Sequence, residues 1–396
     1  MQYYNLTTRV IVELTMVLFL NSSIQSFAYA TFRYKNLLSN KRLRSSSGEL
    51  SRICSGSFCA TSDDTITSSQ SHKVGIILPE NKDHWEIGQD LAKTLGVPIL
   101  YENDDDATKA LFDNFLHIMP YQMQSIKSYA ISIQQNVNIS NRPGSKLSDK
   151  RQKKNVTSMQ PFFIDFCPNQ NSKLGQRLGK QIHNHGGEKL LKAVAPMKLG
   201  EGGNGAVVFD LNAGFGQDSI LMAGGGASKV HMVERHPIVG LLLSDAMRRL
   251  GLVASLDSSD SNSDDVSRAR DLHQKLLLHQ CDSVEFSKSI RSQEDTEKPD
   301  VCYLDPMFPP RTKSSAVKKN MQILHGLFQN SDEIIDRIQE EQDLLNEAIL
   351  LAKKRVVVKR PINAFPLGMD DSMSGDIKVP SYDLKGSINR FDVYVL

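Results

Sequence analysis

Ala206-Val207-Val208-Phe209-Asp210-Leu211-Asn212-Ala213-Gly214-Phe215-Gly216-Gln217-Asp218 is the stretch that decides the fold of this chain. Its opening apolar run is short and rich in β-branched and aromatic residues, the mark of a strand buried on both faces. The run gives way to Gly214 and Gly216, which allow close backbone approach to a ligand. A helix starting near Gln217 would aim its first amide hydrogens at that ligand. A second apolar strand, Lys229-Val230-His231-Met232-Val233, ends in Glu234, an acid placed where nucleoside ribose hydroxyls are gripped. Strand, glycine loop, helix, strand and acid together read as the nucleoside-binding half of a Rossmann-like α/β domain.

Two cofactor classes share that grammar, nicotinamide dinucleotides and S-adenosylmethionine. A dinucleotide fingerprint wants a third glycine where this chain has Ser219. The carboxylates of Asp210 and Asp218 would also repel a pyrophosphate and attract an ammonium or sulfonium. Asp210, four residues before Gly214, gives D-x-x-x-G-x-G, which resembles the first motif of S-adenosylmethionine-dependent methyltransferases.

Further on, Val301-Cys302-Tyr303-Leu304-Asp305-Pro306-Met307-Phe308-Pro309-Pro310 delivers one carboxylate at the end of a buried strand and breaks at a proline. Pro306 cannot continue a ladder, so backbone carbonyls come free beside Asp305. Acceptors of that kind, with the ring of Phe308, suit an exocyclic amine on a flat base.

The motifs Asp210-x-x-Ala213-Gly214-x-Gly216-x-Asp218, Val233-Glu234-Arg235-His236-Pro237, Tyr303 to Pro309, Ala316-Val317-Lys318-Lys319, Lys354 to Pro361 and Arg390-Phe391-Asp392-Val393-Tyr394 occur in this order. Together they resemble the bacterial small-subunit ribosomal RNA methyltransferases that make N2-methylguanosine near the RNA's 3′ end. The likeness covers roughly residues 160 to 396, with an echo at Gln89 to Gly96. It implies a class I S-adenosylmethionine-dependent methyltransferase fold, Rossmann-like, preceded by a small N-terminal α/β subdomain.

The resemblance also implies roles. Gln217 and Asp218 would contact the cofactor, although the family commonly has Arg in place of Gln217. Glu234 and Arg235 would hold the ribose and its surroundings, and Asp282 and Ser283 would flank the adenine, where family members often carry two serines. Asp305 would complete the site. Asp305, the Pro306 carbonyl and Phe308 are the candidate catalytic groups; Asp210, Gly214 and Gly216 join the cofactor set. For RNA phosphates the candidates are Arg311, Lys313, Lys318, Lys319, Lys359 and Arg360, while Lys353 and Lys354 are read as capping a helix. His231, His236 and His279 read as structural, and no metal site is expected.

Composition sets the outer bounds. With 396 residues, 40% apolar and 23% charged, the chain has material for more than one domain, and a formal net charge of +2 argues against a globally basic RNA glove. Its five cysteines contain no C-x-x-C pair, so neither a zinc site nor a disulfide framework is expected.

The domain reading is a leader over 1–60, a linker over 61–72, the small subdomain over 73–186 and the methyltransferase domain over 187–396. In the leader, Ile11 to Leu20 is apolar but too short to span a bilayer, and Ser26-Phe27-Ala28-Tyr29-Ala30 suits cleavage. The acid-free basic tract that follows resembles a bipartite organelle leader. Plastid is preferred to mitochondrion, and cytoplasm is the reading if the segment does not target. The mature form is expected to act on small-subunit RNA or an assembled subunit, with no membrane. In the subdomain, strands are expected at Lys73 to Pro79, Val97 to Tyr101 and Pro161 to Phe166, with a helix from His84 to Leu95. Ser255 to Asp265 reads as a solvated insertion, Asp332 to Glu347 as an outer helix, and Ile377 to Lys385 with Arg390 to Val395 as a terminal hairpin. Two other functions fit parts of this pattern: a non-catalytic ribosome-assembly factor, and an amino-methyltransferase acting on DNA or protein.

Overall fold

The computed structural model describes residues 74–79, 84–109, 111–123, 126–136, 161–168, 171–183, 188–196, 198–256, 263–306, 327, 334–367 and 379–396. All belong to one compact unit, Asn40–Leu396. The expected leader, the linker and the residues Phe308, Arg311, Lys313, Lys318 and Lys319 lie outside the described residues.

The first sheet is built from β1 (Val74–Leu78), β2 (Ile99–Tyr101), β3 (Asn114–Met123) and β4 (Ile126–Gln135), in the order β2-β1-β3-β4. Helix α1 (Trp85–Leu95) carries the chain from β1 to β2 and buries Ile87, Leu91, Ala92 and Leu95, one face at helical spacing. It stops at Gly96, whose φ of 64° suits the left-handed cap position, with its N–H bonded to Ala92 O. A short turn, α2 (Asp106–Lys109), precedes β3.

Helices α3 (Lys173–His183) and α4 (Lys189–Val194) lead to the second sheet. There β5 (Val207–Asp210), α5 (Gln217–Gly224), β6 (Lys229–Val233), α6 (Pro237–Ala254), α7 (Ser263–Lys275), β7 (Leu276–His279), α8 (Ser283–Ser292), β8 (Val301–Leu304), α9 (Ile334–Leu351), β9 (Arg355–Pro361), β10 (Tyr382–Lys385) and β11 (Asn389–Val395) follow in turn. The strand order is β10-β11-β9-β8-β5-β6-β7. From β9 to β7 the neighbours are parallel, and β11 runs antiparallel to both β9 and β10. This is the Rossmann-like class I methyltransferase sheet. Its strand order reverses between β5 and β8, which opens a cleft at the carboxyl ends of those two strands.

Helix α6 is apolar nearly all round, with Ile238, Val239, Leu241, Leu242, Leu243, Ala246, Leu250 and Val253 buried. It needs cover on more than one face, and it packs against α7 and β4, so a single apolar core runs from the first sheet into the second. The polar fastening between them is equally specific. Asp245 Oδ2 accepts the N–H of Ile131 and Arg249 Nε, both at 2.9 Å, and Oδ1 accepts Arg248 Nη2 at 2.8 Å. Arg249 in turn donates to the carbonyl of Ile164, and Arg248 reaches Ser128 and Tyr129 on β4.

Two expectations need correction. Pro161 to Phe166 is not a strand: only Phe162 bridges to Ile133, because Arg249 takes the Ile164 carbonyl that a strand partner would use. The outer part of the sheet is the β3–β4 hairpin instead. Likewise the insertion does not run to Asp265, since α7 begins at Ser263. Among the described residues no helix is long and apolar enough to cross a membrane.

Candidate active site

Each polar group at the cleft is placed by strand register. In β5 and β8, Asp210 pairs with Tyr303, and in β8 and β9, Leu304 pairs with Val358. One residue further along that second pair, Asp305 leaves β8 beside Lys359. The ammonium of Lys359 lies 2.8 Å from Asp305 Oδ2 and 2.7 Å from Asp218 Oδ2. Tyr303, fully buried, donates its hydroxyl to the same Asp218 oxygen at 2.7 Å. Arg177 of α3, bound to Glu188 at 2.7 Å, adds positive charge near Asp218 and Tyr303.

The charges answer to that arrangement. Burial works against ionised Asp218, but the Lys359 ammonium and the donors on it outweigh burial and hold its carboxyl below the usual range. Burial raises Asp305, with Lys359 pulling it down and Asp218 pushing it up; 32% of its side chain still meets solvent, which softens the penalty. For Lys359 burial favours the neutral amine, yet the two carboxylates prevail and keep it charged.

Asp210, at the end of β5, has no ion-pair partner among the described residues: Ser219 Oγ bonds its Oδ2 at 2.5 Å, and burial raises its carboxyl to about 7. Glu234, at the end of β6, accepts Gly214 N at 2.9 Å and His236 N at 2.7 Å, and burial lifts it to about 7 as well. The glycine loop is therefore tied to the acid of the next strand by a direct hydrogen bond. Gly214 takes φ of 52°, and a Cβ there would meet nothing nearer than the Asn212 backbone oxygen at 3.9 Å, an ordinary contact.

Gly216 differs from the expectation that it clears a ligand's path. Its φ is 68°, and a Cβ would lie 2.8 Å from the Phe166 ring and 3.0 Å from Leu243, so packing behind the loop demands glycine. Gln217 is exposed at the first turn of α5, next to Asp218.

Past β7, Asp282 caps α8 by accepting the N–H groups of Val284 and Glu285, and its other oxygen lies 3.7 Å from Arg235. Ser283 is not open toward a ligand; it is buried, and its hydroxyl donates to the Leu211 carbonyl, which fastens this loop to the end of β5. His231 and His279 stack 5.1 Å apart and share a 2.9 Å Nδ1–Nε2 hydrogen bond, with burial lowering them to about 3 and about 4. They brace β6 against β7.

Four cation assignments change. Lys359 is not a surface phosphate contact, because its charge is already matched by two carboxylates and only 21% of its side chain is exposed. Arg360, on the opposite face of β9, donates to the Phe365 carbonyl and lies 3.7 Å from Glu341. Lys354 pairs with Asp300 at 2.9 Å and Lys353 reaches Glu201 at 3.4 Å, so neither caps a helix through its side chain. Sequence reasoning misplaced Lys359, because the strand register that sets it beside Asp305 is not visible in the sequence.

The donor set fits a nucleoside cofactor bearing positive charge. Glu234 stands at the ribose position of the sheet, Gly214 leaves room above the loop, and carboxylates rather than cations line the turn that follows. Asn212 Oδ1 is a buried acceptor without a hydrogen-bond partner among the described residues, which an ammonium donor would satisfy. Behind the loop, Phe162, Phe163, Phe166 and Phe215 line a cavity of about 300 Å³ that Gln217 and Asp165 border.

The family model of SAM-dependent methyltransferases matches residues 128–396. Ribosomal RNA small subunit methyltransferase J of Pseudoalteromonas atlantica is 37% identical over 212 residues, covering 54% of this chain and 71% of the relative. The protein of that name from Saccharophagus degradans is 36% identical over 250 residues, covering 63% and 79%. A solved SAM-dependent methyltransferase from Neisseria gonorrhoeae superposes with a TM-score of 0.49 at 23% identity, covering 81% of this chain and 95% of that one. The chain belongs to the SAM-dependent methyltransferases, in the family of the ribosomal RNA small subunit methyltransferase J proteins.

Proposed function

We propose that this enzyme methylates the exocyclic N2 of a guanine in small-subunit ribosomal RNA. The observation that carries the reading is Asp305-Pro306 at the carboxyl end of β8, at the switch point beside the glycine loop, in a chain whose relatives are named for that RNA. S-adenosylmethionine would supply a methyl group on a sulfonium: a nitrogen lone pair attacks that carbon in line as the carbon–sulfur bond breaks, and the sulfur leaves as S-adenosylhomocysteine. Glu234, with Asp282 and Arg235 at the neighbouring strand end, would hold the nucleoside part, and Asp218 with the Asn212 carbonyl oxygen Oδ1 would face its charged end.

Guanine N2 is a weak nucleophile because its lone pair is delocalised into the ring. Asp305 and the Pro306 carbonyl accept the two amine hydrogens and turn the lone pair out of the ring plane, a positioning effect more than a strong-base effect. Asp305 then takes the proton that the methylated amine sheds. The base must leave its stack to reach these groups, and Phe308 would supply the face it rests on. Arg311, Lys313, Lys318 and Lys319, which follow Asp305 closely in sequence, would hold the flanking phosphates.

The test is incubation of purified protein with S-adenosylmethionine labelled in its methyl group and with small-subunit RNA, naked or assembled, followed by nucleoside analysis. N2-methylguanosine at one position is the expected product. Label in DNA, in protein, or in no acceptor would overturn the reading, and an absence of cofactor binding by calorimetry would point to an assembly factor. For residues 1–60 the proposal is delivery to an organelle, the plastid before the mitochondrion; a diffuse cytosolic signal from a fluorescent fusion would refute it.

A further inference from the structure

Among the described residues Lys359 stands apart from every other cation in having two carboxylates within 2.8 Å of one ammonium, at the cleft. The sheet itself creates the contact, since β8 and β9 run parallel with Leu304 opposite Val358 and so bring the next residue of each strand together. The approach from α5 is fixed as well. Asp218 Oδ2 accepts both the Tyr303 hydroxyl and the Lys359 ammonium, so the carboxylate cannot turn without losing one of them.

We propose that Lys359 is a positioning residue, its ammonium holding Asp305 Oδ2 against Asp218 so that the Asp305 carboxylate stays ionised and presents Oδ1 to the substrate amine. The inference rests on the reading of Asp305 as the amine's acceptor. A neutral carboxylic acid would offer a hydrogen where the amine also offers one, so an ionised Asp305 is required for orientation. The groups that bear on Asp305 among the described residues are Lys359 from β9, Asp218 from α5, Asp210 from β5 and Tyr303 from β8, with Arg177 of α3 acting on Asp218 and Tyr303. Of these, Lys359 is the one cation in contact with Asp305, and the nearby acids all oppose its ionisation. A phosphate role for the same ammonium would require an RNA anion to displace both carboxylates from a site four-fifths covered.

The experiment uses the full chain labelled with ¹³C at aspartate Cγ, the Asp305 signal being identified by its disappearance in Asp305→Asn. Its titration midpoint is measured in wild type, Lys359→Met, Lys359→Gln and Lys359→Arg, without RNA. The neutral variants are expected to raise the Asp305 midpoint by at least about one pH unit, and Lys359→Arg to restore most of it. With cofactor and RNA saturating, the acidic limb of kcat should move up by the same amount, leaving the rate nearly recovered at high pH. Should Lys359→Met fail to fold, the polar Lys359→Gln and the charge-keeping Lys359→Arg carry the comparison. An unmoved midpoint overturns the proposal. So does a uniform loss of rate with an unshifted pH profile, and so does a weaker RNA affinity with a shallower salt dependence at unchanged rate, which would restore the phosphate role. A midpoint that moves as expected in an enzyme that makes no N2-methylguanosine would refute the substrate reading and leave the Lys359–Asp305 coupling standing.

Discussion

On the β8–β9 side of the cleft two carboxylates, Asp218 and Asp305, share the ammonium of Lys359, whereas on the β5–β6 side Asp210 and Glu234 are buried without an ion pair among the described residues, answered by a serine hydroxyl, backbone amides and, for Glu234, the charge of neighbouring Arg235. On the first side Lys359 holds Asp218 below the usual carboxylate range and pulls against the burial that raises Asp305; the acids of the second side are pushed to about 7. The difference follows the ligand each side is built to meet. A neutral amine needs a charged acceptor that is already in place, and Asp305 has its cation beside it, while the cationic end of the cofactor, which Asp218 and Asn212 would face, brings its own charge toward the side where cations are fewer.

Breaking the first side should have the largest effect on rate. Asp305→Ala removes an acceptor needed to orient the amine, and loss of such a contact in a sheltered site is worth on the order of 3 kcal/mol, about a hundredfold in single-turnover rate. RNA affinity should stay within about twofold, because no phosphate contact is assigned to Asp305. A variant that methylates at wild-type speed with cofactor saturating would remove Asp305 from the chemistry.

The two glycines of the loop sharpen the contrast in terms of stability. Gly216→Val places a β-branched side chain at φ of 68° against Phe166 and Leu243, a combination that should cost about 3 kcal/mol or more. Gly214→Ala meets only an ordinary contact with the Asn212 backbone oxygen, so only the left-handed backbone is penalised, by about 1 kcal/mol, and its main effect should fall on cofactor affinity. Thermal melts with and without cofactor separate the two. Equal melting losses would mean that the loop's inner and outer surfaces are misassigned.

Much of this comparison was legible before the fold was known. Asp210, Gly214, Glu234 and Asp305 lie in motifs whose strands are short, apolar and bounded by breakers, and such strands declare their ends. What lay hidden depended on partners distant in sequence. Between the paired residues Met123 and Ile126 of β3 and β4 the sequence reads Gln124-Ser125, without the Asn-Gly or Asp-Gly signal of a tight turn, and Pro120 argues against a strand. Lys359 read as a surface cation because its neighbours Lys354, Arg355 and Arg360 are basic too. Nothing local reveals that Asp218, more than a hundred residues earlier, closes over it. Gly216 was legible as a required glycine but not for the right reason, since Leu243 and Phe166 come from other elements.

The uncompensated side has its own signature in pH. A carboxyl raised to about 7 in the native state binds a proton that the unfolded chain, with its ordinary value near 4, has already released. Native stability therefore falls as pH rises through that interval. Asp210→Asn removes the titration and keeps a partner for Ser219, so the variant should gain on wild type between pH 5 and pH 8, by on the order of 2 kcal/mol, while losing cofactor affinity. The buried pair His231 and His279 contributes the opposite slope at lower pH, being lost as pH falls below the ordinary histidine range, and it is common to both proteins. Urea unfolding at several pH values measures the difference. A gap between the two proteins that does not widen with pH would show that Asp210 is ionised in the native state at no cost.

The smallest effect should come from the residue beside the ammonium. Side chains alternate across a strand, so while Lys359 enters the cleft, Arg360 leaves it on the other face. There its Nε donates to the Phe365 carbonyl at 3.0 Å, and its guanidinium lies 3.7 Å from Glu341 on α9. Arg360→Ala should therefore cost about 1 kcal/mol of stability through one hydrogen bond and a loose ion pair, with the methylation rate unchanged. RNA affinity and its salt dependence should also be unchanged, because the guanidinium is engaged by the protein's own loop and helix. A salt slope reduced by about one ion would return Arg360 to the phosphate-binding set and show that RNA reaches round the edge of β9. An unaltered slope, set beside the large effect of Asp305→Ala, would confine the RNA's grip on this side to the segment that follows Pro306.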